Sequence, residues 1–207
     1  MKKYILNNLL SYFFGFFLIF SPLAFAESVL DVTEKDFIIG VENAPITIIE
    51  YASLSCSHCA DFHINTLPEL IKEFVDTGKA RIVFRDFPFN YPALLGSMVL
   101  RCVPRDIRYE YSNALYHLQS KWVLRENAKT TQELYKIMQS GGMTKERFNE
   151  CIENVELENE ILNGLMAAQS EFNIKSTPSF LINGILIEGN KTIKDFRQII
   201  DKILSEQ

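Results

Sequence analysis

The feature that most constrains this chain is a pair of cysteines, Cys56 and Cys59, separated by two residues. Before the pair, residues 46–51 form an apolar, β-branched run typical of a buried strand, and after it apolar residues recur at helical spacing to residue 74. The pair therefore lies where a helix begins, with unpartnered backbone N–H groups and a dipole that favours negative charge. Because such a position lowers the pKa of a thiol, we predict that Cys56 is the reactive cysteine and Cys59 its resolving partner.

Two other uses of such a pair are a structural disulfide and half of a zinc site. A disulfide across one helical turn closes too short a loop to stabilise a fold much. Zinc sites need four ligands, and at ~100° per residue His58 does not share a helix face with Cys56 and Cys59. No second ligand pair lies nearby in the sequence, so we predict redox chemistry without a metal or another cofactor.

The first 26 residues have the pattern of a cleaved signal peptide. Lys2 and Lys3 form a short basic region, residues 9–20 are mostly apolar, and residues 24–26 have the small-x-small pattern of a cleavage site. The alternative is a retained membrane anchor, although the apolar stretch is shorter than the ~20 residues of a spanning helix. We expect cleavage after residue 26 and export of the remainder.

Charge and cysteine content limit the partners and the compartment. The 207-residue chain has a formal charge of −5, which becomes −7 without Lys2 and Lys3. With that sign and no basic cluster, nucleic acid is not an expected partner. The exported length suits one domain with a substantial core. All four cysteines lie in the exported part, and an even count fits an oxidising compartment.

Strand patterns occur at both ends of the exported chain, and only helical patterns occur between Pro92 and Asn173. Pro68 predicts a kink in the helix that follows the cysteine pair, and Asn183-Gly184 predicts a two-residue hairpin. We expect one sheet built from both chain ends, with a helical insertion between them. The predicted strands cover residues 37–39, 46–52, 79–87, 179–182 and 185–187; the predicted helices cover residues 59–76, 93–103, 107–119, 131–139, 144–152, 155–172 and 193–204.

Three features in this order resemble the DsbA-like thiol:disulfide oxidoreductases. They are Glu50, six residues before the first cysteine, the motif Cys56-Ser57-His58-Cys59, and Thr177-Pro178 ahead of a strand and hairpin. The resemblance implies an α/β thioredoxin-like fold, a central sheet flanked by helices, with an inserted all-helical domain. The expected boundaries are a signal peptide at 1–26, an arm at 27–40, thioredoxin-like parts at 41–91 and 177–207, and the helical insertion at 92–176.

The resemblance also implies roles for the residues around the pair. Glu50 would be a partly buried carboxylate that exchanges a proton with Cys59, whereas the plain alternative is a side chain that points to solvent. Pro178 would be cis, with the backbone of Thr177 pairing with an extended substrate segment. The alternative for these two residues is a simple turn into a strand.

The histidines receive separate interpretations. The imidazole of His58, between the cysteines, would favour the Cys56 thiolate and so stabilise the reduced form, which makes a disulfide more oxidising. It could also be an ordinary surface residue. His63 and His117 are interpreted as ordinary helix residues.

Cys102 and Cys151 both lie in predicted helices of the insertion, with 48 residues between them. A disulfide between them would be structural and, by closing a long loop, could add about 3–4 kcal/mol of stability. The alternative is two separate buried thiols. We expect the disulfide, and neither residue has the helix-start position that makes Cys56 reactive.

The resemblance implies a periplasmic enzyme that introduces disulfides into unfolded exported proteins. A quinone-linked membrane partner resembling DsbB would reoxidise it. A disulfide isomerase or reductase of the same fold is the main alternative, because Thr177 before Pro178 resembles isomerase-type members. The shortness of the arm at 27–40 argues for a monomer and against a dimeric isomerase. The alternative from another class is a metal- or peptide-binding module without catalysis.

Overall fold

A five-stranded mixed sheet lies at the centre of the structure, a computed structural model that describes residues 31–205. The strands are β1 (Phe37–Ile39), β2 (Ile46–Ala52), β3 (Ala80–Asp86), β4 (Ser179–Ile182) and β5 (Ile185–Glu188). They are arranged in the order β1-β3-β2-β4-β5. Strands β2 and β3 are parallel, and the other neighbours are antiparallel. Both ends of the described chain therefore contribute to one sheet.

The helices follow the predicted order, with most of them between β3 and β4. The segment 57–75 is continuous and contains α1 (Ser57–Asp61), a π-helical turn (Phe62–Thr66), α2 (Leu67–Leu70) and a second π-helical turn (Ile71–Val75). The others are α3 (Tyr91–Arg101), α4 (Arg108–His117), α5 (Gln119–Trp122), α6 (Asn127–Ser140), α7 (Lys145–Ile152), α8 (Val155–Phe172) and α9 (Ile193–Ser205).

Strand β2 is apolar at nearly every position because helices cover both faces of the sheet. Ile46 and Ile48 pack with segment 57–75 and α9 on one face. Ile49 and Tyr51 pack on the other face, towards α8. This central strand carries the chain from the sheet directly to the cysteine pair.

An aromatic cluster fixes the start of the cysteine-bearing helix on the sheet. Phe62 lies 4.8 Å from Phe180 of β4 and 5.7 Å from Phe196 of α9, measured between ring centroids. All three side chains are fully buried. Aromatic pairs at such distances add to the stabilisation from burial alone, by about 0.5–1.5 kcal/mol each.

The helices α3 to α8, which we call the helical block, pack directly on the loop that precedes the cysteine pair. Trp122 is fully buried, and its Nε1 donates to the carbonyl oxygen of Leu115 at 2.9 Å. A Cβ atom at Gly96 would lie 2.9 Å from the Trp122 ring and 3.1 Å from Leu54 of the loop. A glycine is needed at position 96 because this contact leaves no room for a side chain.

The predicted fold class is confirmed, and three local features differ from the predictions. The short helix α5 and a 3-10 turn at Arg105–Ile107 were not predicted. A π-helical turn lies on each side of the short segment that contains Pro68, where the sequence predicts a kink. Within residues 31–205, no helix is long and apolar enough to cross a bilayer. The predicted signal peptide lies outside the described residues.

Candidate active site

The two cysteines lie at the junction of β2 and α1 and differ sharply in exposure. Cys56 immediately precedes the first turn of α1, has extended backbone torsions (φ −86°, ψ 124°) and is half-buried. Cys59 lies one turn later and is fully buried. Both are free thiols. Only Cys56 can therefore be reached by a sulfur atom of another protein.

The surroundings of Cys56 stabilise its thiolate. The largest effect is a hydrogen bond from the Cys59 thiol, with further bonds from the Thr177 side chain and from the backbone N–H groups of Cys59 and His58. Together they outweigh partial burial and lower the pKa of Cys56 from 9.0 to about 5. Cys56 is therefore an anion at neutral pH, the form in which a cysteine is both nucleophile and good leaving group.

The surroundings of Cys59 have the opposite effect. Burial raises the pKa of Cys59, and its hydrogen bond to Cys56 and the charge of Glu50 raise it further. The backbone N–H of Ser53 lies 3.5 Å from the Cys59 sulfur and opposes this change only in part. Cys59 is thus a protonated thiol that can react only after a base removes its proton.

Thr177 and Pro178 lie beside the reactive cysteine although they are more than 120 residues away in the chain. The peptide bond between them is cis. The Cys56 sulfur lies 3.4 Å from the carbonyl oxygen of Thr177. The Thr177 side-chain oxygen is buried without a hydrogen-bond partner in the thiol form, among residues 31–205. That hydroxyl is consequently available to donate to the thiolate.

Glu50 is fully buried in β2, so the alternative that it points to solvent is wrong. Both of its carboxylate oxygens contact Nε2 of His63, at 3.0 and 3.1 Å. His63 is itself only 3% exposed, so its interpretation as an ordinary helix residue is also wrong. A carboxylate taken fully out of water needs a hydrogen-bonded partner, and His63 provides it.

A signal for His63 was present in the sequence. It follows Cys59 by four residues, which places the two side chains on one face of the helix. Since Glu50 is the only acid in an otherwise apolar strand, its burial required a donor from a neighbouring element. His63 is a polar residue that can donate a hydrogen bond from the helix covering this strand.

Comparison with known proteins identifies the family to which the chain belongs. The family model described as thioredoxin matches residues 32–202. The chain belongs to the thioredoxin family. A protein-disulfide oxidoreductase of Rickettsia bellii is 31% identical to this thioredoxin-family chain over 180 residues, covering 84% of it and 67% of the relative. Another, from Rickettsia conorii, is 30% identical over 182 residues, and the chain spans only 63% of its length.

Solved structures place the chain within the DsbA-like group of the thioredoxin family. The crystal structure of Wolbachia pipientis alpha-DsbA1 has a TM-score of 0.80 and 29% sequence identity. The alignment covers 86% of this chain and 95% of that one. The thioredoxin fold with a helical insertion and the DsbA-like membership, both predicted from the sequence, are confirmed.

His58, the residue before Cys59 in the motif of this DsbA-like chain, is exposed. Its backbone N–H contributes to stabilisation of the Cys56 thiolate. This contribution does not depend on the identity of the side chain, because any non-proline residue supplies the same N–H group. Among residues 31–205, no group of three or more His, Cys, Asp or Glu could hold a metal ion.

Gln119 is a site residue that sequence analysis missed. It lies at the start of α5, and its Nε2 donates to the carbonyl oxygens of Leu54 and Cys56, at 2.9 and 3.0 Å. These two bonds join the helical block to the turn at residues 53–56, which we call the active-site turn. No local pattern predicts them, because they join residues that are 63 and 65 positions apart.

Replacing Gln119 with glutamate should raise the pKa of Cys56 by about one unit. A carboxylate of the same shape cannot donate to the two carbonyl oxygens, and it adds negative charge beside the thiolate. The measurement is the rate of Cys56 alkylation as a function of pH. The matched control Ser120→Glu adds the same charge one residue away. If the Cys56 thiol titrates at the same pH in Gln119→Glu and in wild type, Gln119 does not position the active-site turn.

Proposed function

We propose that this chain is a periplasmic thiol:disulfide oxidoreductase that introduces disulfide bonds into exported proteins through Cys56 and Cys59. The observation that carries this proposal is the contrast between the two thiols. Cys56 is accessible and has a pKa of about 5, whereas Cys59 is buried with a raised pKa. Stabilisation of the Cys56 thiolate favours the reduced pair and so makes the disulfide an oxidant.

The exchange proceeds in two displacement steps. A substrate thiolate attacks the Cys56 sulfur of the enzyme disulfide, the Cys56–Cys59 bond breaks, and Cys59 leaves as a thiolate that takes up a proton. A second substrate thiolate then attacks the substrate sulfur of the mixed disulfide, and Cys56 leaves as a thiolate. Two electrons pass from the substrate, which gains a disulfide, to the enzyme, which gains a dithiol.

Thr177 and Pro178 are proposed to hold the substrate during these steps. The Thr177 carbonyl oxygen, 3.4 Å from the Cys56 sulfur, is an acceptor for a backbone N–H of an extended peptide. Such pairing would bring a substrate cysteine to Cys56 without dependence on the substrate's sequence. Glu50 is proposed to exchange a proton with Cys59.

The proposal extends to location, partners and organisation. Residues 1–26 direct export and are cleaved, and a membrane protein resembling DsbB reoxidises the reduced pair. Substrates are unfolded exported proteins with free cysteines, and the chain acts as a monomer. Residues 41–91 and 177–207 form the thioredoxin-like part, and residues 92–176 form the inserted helical domain.

An isomerase of the same fold is the second candidate, favoured by the hydroxyl of Thr177 beside Cys56. That group stabilises a thiolate, and an isomerase needs a persistent thiolate to attack wrong disulfides. The two functions differ in which redox form of the chain is active.

Refolding of a reduced, unfolded test protein distinguishes these functions. As an oxidase, the chain in its disulfide form should convert test-protein thiols to disulfides, about two thiols per equivalent of enzyme disulfide. The same test protein with scrambled disulfides should not be rescued by the reduced chain. Rescue of the scrambled protein, with no oxidation of the reduced one, would establish the isomerase instead.

A further inference from the structure

One nitrogen beneath the active site has no role in the exchange steps. His63 contacts Glu50 through Nε2, but among residues 31–205 its Nδ1 has no hydrogen-bond partner. An imidazole nitrogen that is buried without a partner costs free energy, so such atoms usually bind an ordered water molecule. His63 therefore needs access to water on the side away from Glu50.

A cavity of about 270 Å³ provides that access, since His63 is one of its lining residues. Its inner wall includes Tyr116 and Phe84, whose rings lie 4.1 and 5.8 Å from the imidazole. Its wall also includes Lys35 and Glu160, whose side chains are 74% and 40% exposed. The cavity thus connects solvent to His63, and it is large enough for several water molecules. Neither active-site cysteine lines it.

We propose that His63 relays protons between this water-accessible cavity and Cys59, by way of Glu50. The inference rests on the proposed function, because disulfide exchange is what makes Cys59 gain and lose a proton. Cys59 is fully buried and does not line the cavity, so its proton must reach solvent through neighbouring groups. A separate route lets its proton move while a substrate covers Cys56.

The transfer is balanced and uses both imidazole nitrogens. When Cys59 leaves as a thiolate, the Nε2–H of His63 gives its proton to the Glu50 carboxylate, and Glu50 passes that proton on to the sulfur. Cavity water then delivers a proton to Nδ1 of His63. One proton has then moved from water to Cys59, and no electron has moved. When Cys59 attacks a mixed disulfide, each transfer runs in reverse.

Other ionisable groups around His63 are less suited to this role. Burial raises the pKa of Tyr116 well above its usual value, so its hydroxyl stays protonated. Burial also raises the pKa of Tyr109. Glu50 on β2 contacts His63, Cys59 lies one turn before it, and Tyr116 on α4 stacks on its ring. The other titratable and charged groups that line the cavity are Asp31, Lys35, Asp36, Tyr51, Arg85, Asp86, Arg101, Arg108 and Glu160.

The test follows the two steps by which glutathione disulfide oxidises the reduced chain. Samples are quenched in acid, and mass spectrometry measures how much of the chain carries glutathione. This measurement separates the capture of glutathione by Cys56 from its release by Cys59. His63→Ala should capture glutathione at the wild-type rate but release it at least about tenfold more slowly, so that the adduct accumulates. Added imidazole should restore release in His63→Ala and leave wild type unchanged.

A second variant tests the cavity without altering His63. Gly164 of α8 lines the cavity, and a Cβ atom there would have no neighbour within 4 Å. Gly164→Trp should obstruct the cavity and slow release, whereas Asn163→Trp, on the same helix but not lining the cavity, should not. Release at the wild-type rate in both His63→Ala and Gly164→Trp would overturn the relay. If wild type forms neither the Cys56 adduct nor the Cys56–Cys59 disulfide, the proposed function is overturned instead.

Discussion

Cys56→Ala should abolish disulfide transfer completely, whereas Cys59→Ala should leave a chain that captures substrates and fails to release them. Cys56 is the accessible thiolate, and no other described residue offers an equivalent nucleophile, because Cys59 is buried and Cys102 and Cys151 are joined to each other. Without Cys56 no mixed disulfide can form. Without Cys59 the mixed disulfide at Cys56 has no internal thiol to resolve it.

Non-reducing electrophoresis of an exported-protein mixture incubated with each variant measures this outcome. Cys59→Ala should give covalent adducts that are cleaved by a reducing agent. Cys56→Ala and the double variant should give none. The double variant is the matched control, since it keeps the Cys59→Ala change but lacks the nucleophile. Adducts in the double variant, or none with Cys59→Ala, would contradict the exchange mechanism.

Removal of the Cys102–Cys151 disulfide should lower the free energy of unfolding by about 3–4 kcal/mol. The bond joins the end of α3 to α7 across a sequence separation of 49 residues, with Cα atoms 6.2 Å apart. Closing so long a loop restricts the unfolded chain, and natural domains are stable by only about 5–15 kcal/mol in total. This bond should therefore supply a large share of the stability.

Urea unfolding of the Cys102→Ala/Cys151→Ala double variant, beside wild type, measures the loss. Both should be compared with Cys56 and Cys59 fully oxidised, so that only the structural bond differs. A difference below about 1 kcal/mol would mean that native strain or residual structure in the unfolded chain cancels the loop effect.

Local sequence patterns predict the elements of this fold well. The apolar run of β2, with Pro45 just before it, and the Asn183-Gly184 turn of the hairpin depend on residues that are close together in the chain. The position of the cysteine pair at the start of α1 is predictable for the same reason, because the turn, the helix start and the two thiols all lie within five residues. The same locality explains the correct bounds of α8, which runs from Val155 to Phe172 as predicted.

Contacts between distant parts of the chain could not be predicted in this way. The partner of Glu50 depends on which helix face covers β2, and Gln119 reaches the active-site turn from another part of the helical block. Spacing alone could not decide whether Cys102 and Cys151 are bonded, since it does not fix the distance between α3 and α7. These contacts follow from the packing of elements, which local patterns do not specify.

The redox equilibrium of the Cys56–Cys59 pair against glutathione, with the pKa of Cys56 measured in the same samples, tests the central claim most directly. Because the folded-state pKa lies below its usual 9.0, thiolate stabilisation of the reduced form is complete above about pH 9 and is lost as the pH falls to about 5. The account predicts titration of Cys56 near pH 5 and a disulfide more oxidising than the glutathione pool. A Cys56 that titrates near pH 9, or a pair more reducing than glutathione, would contradict it.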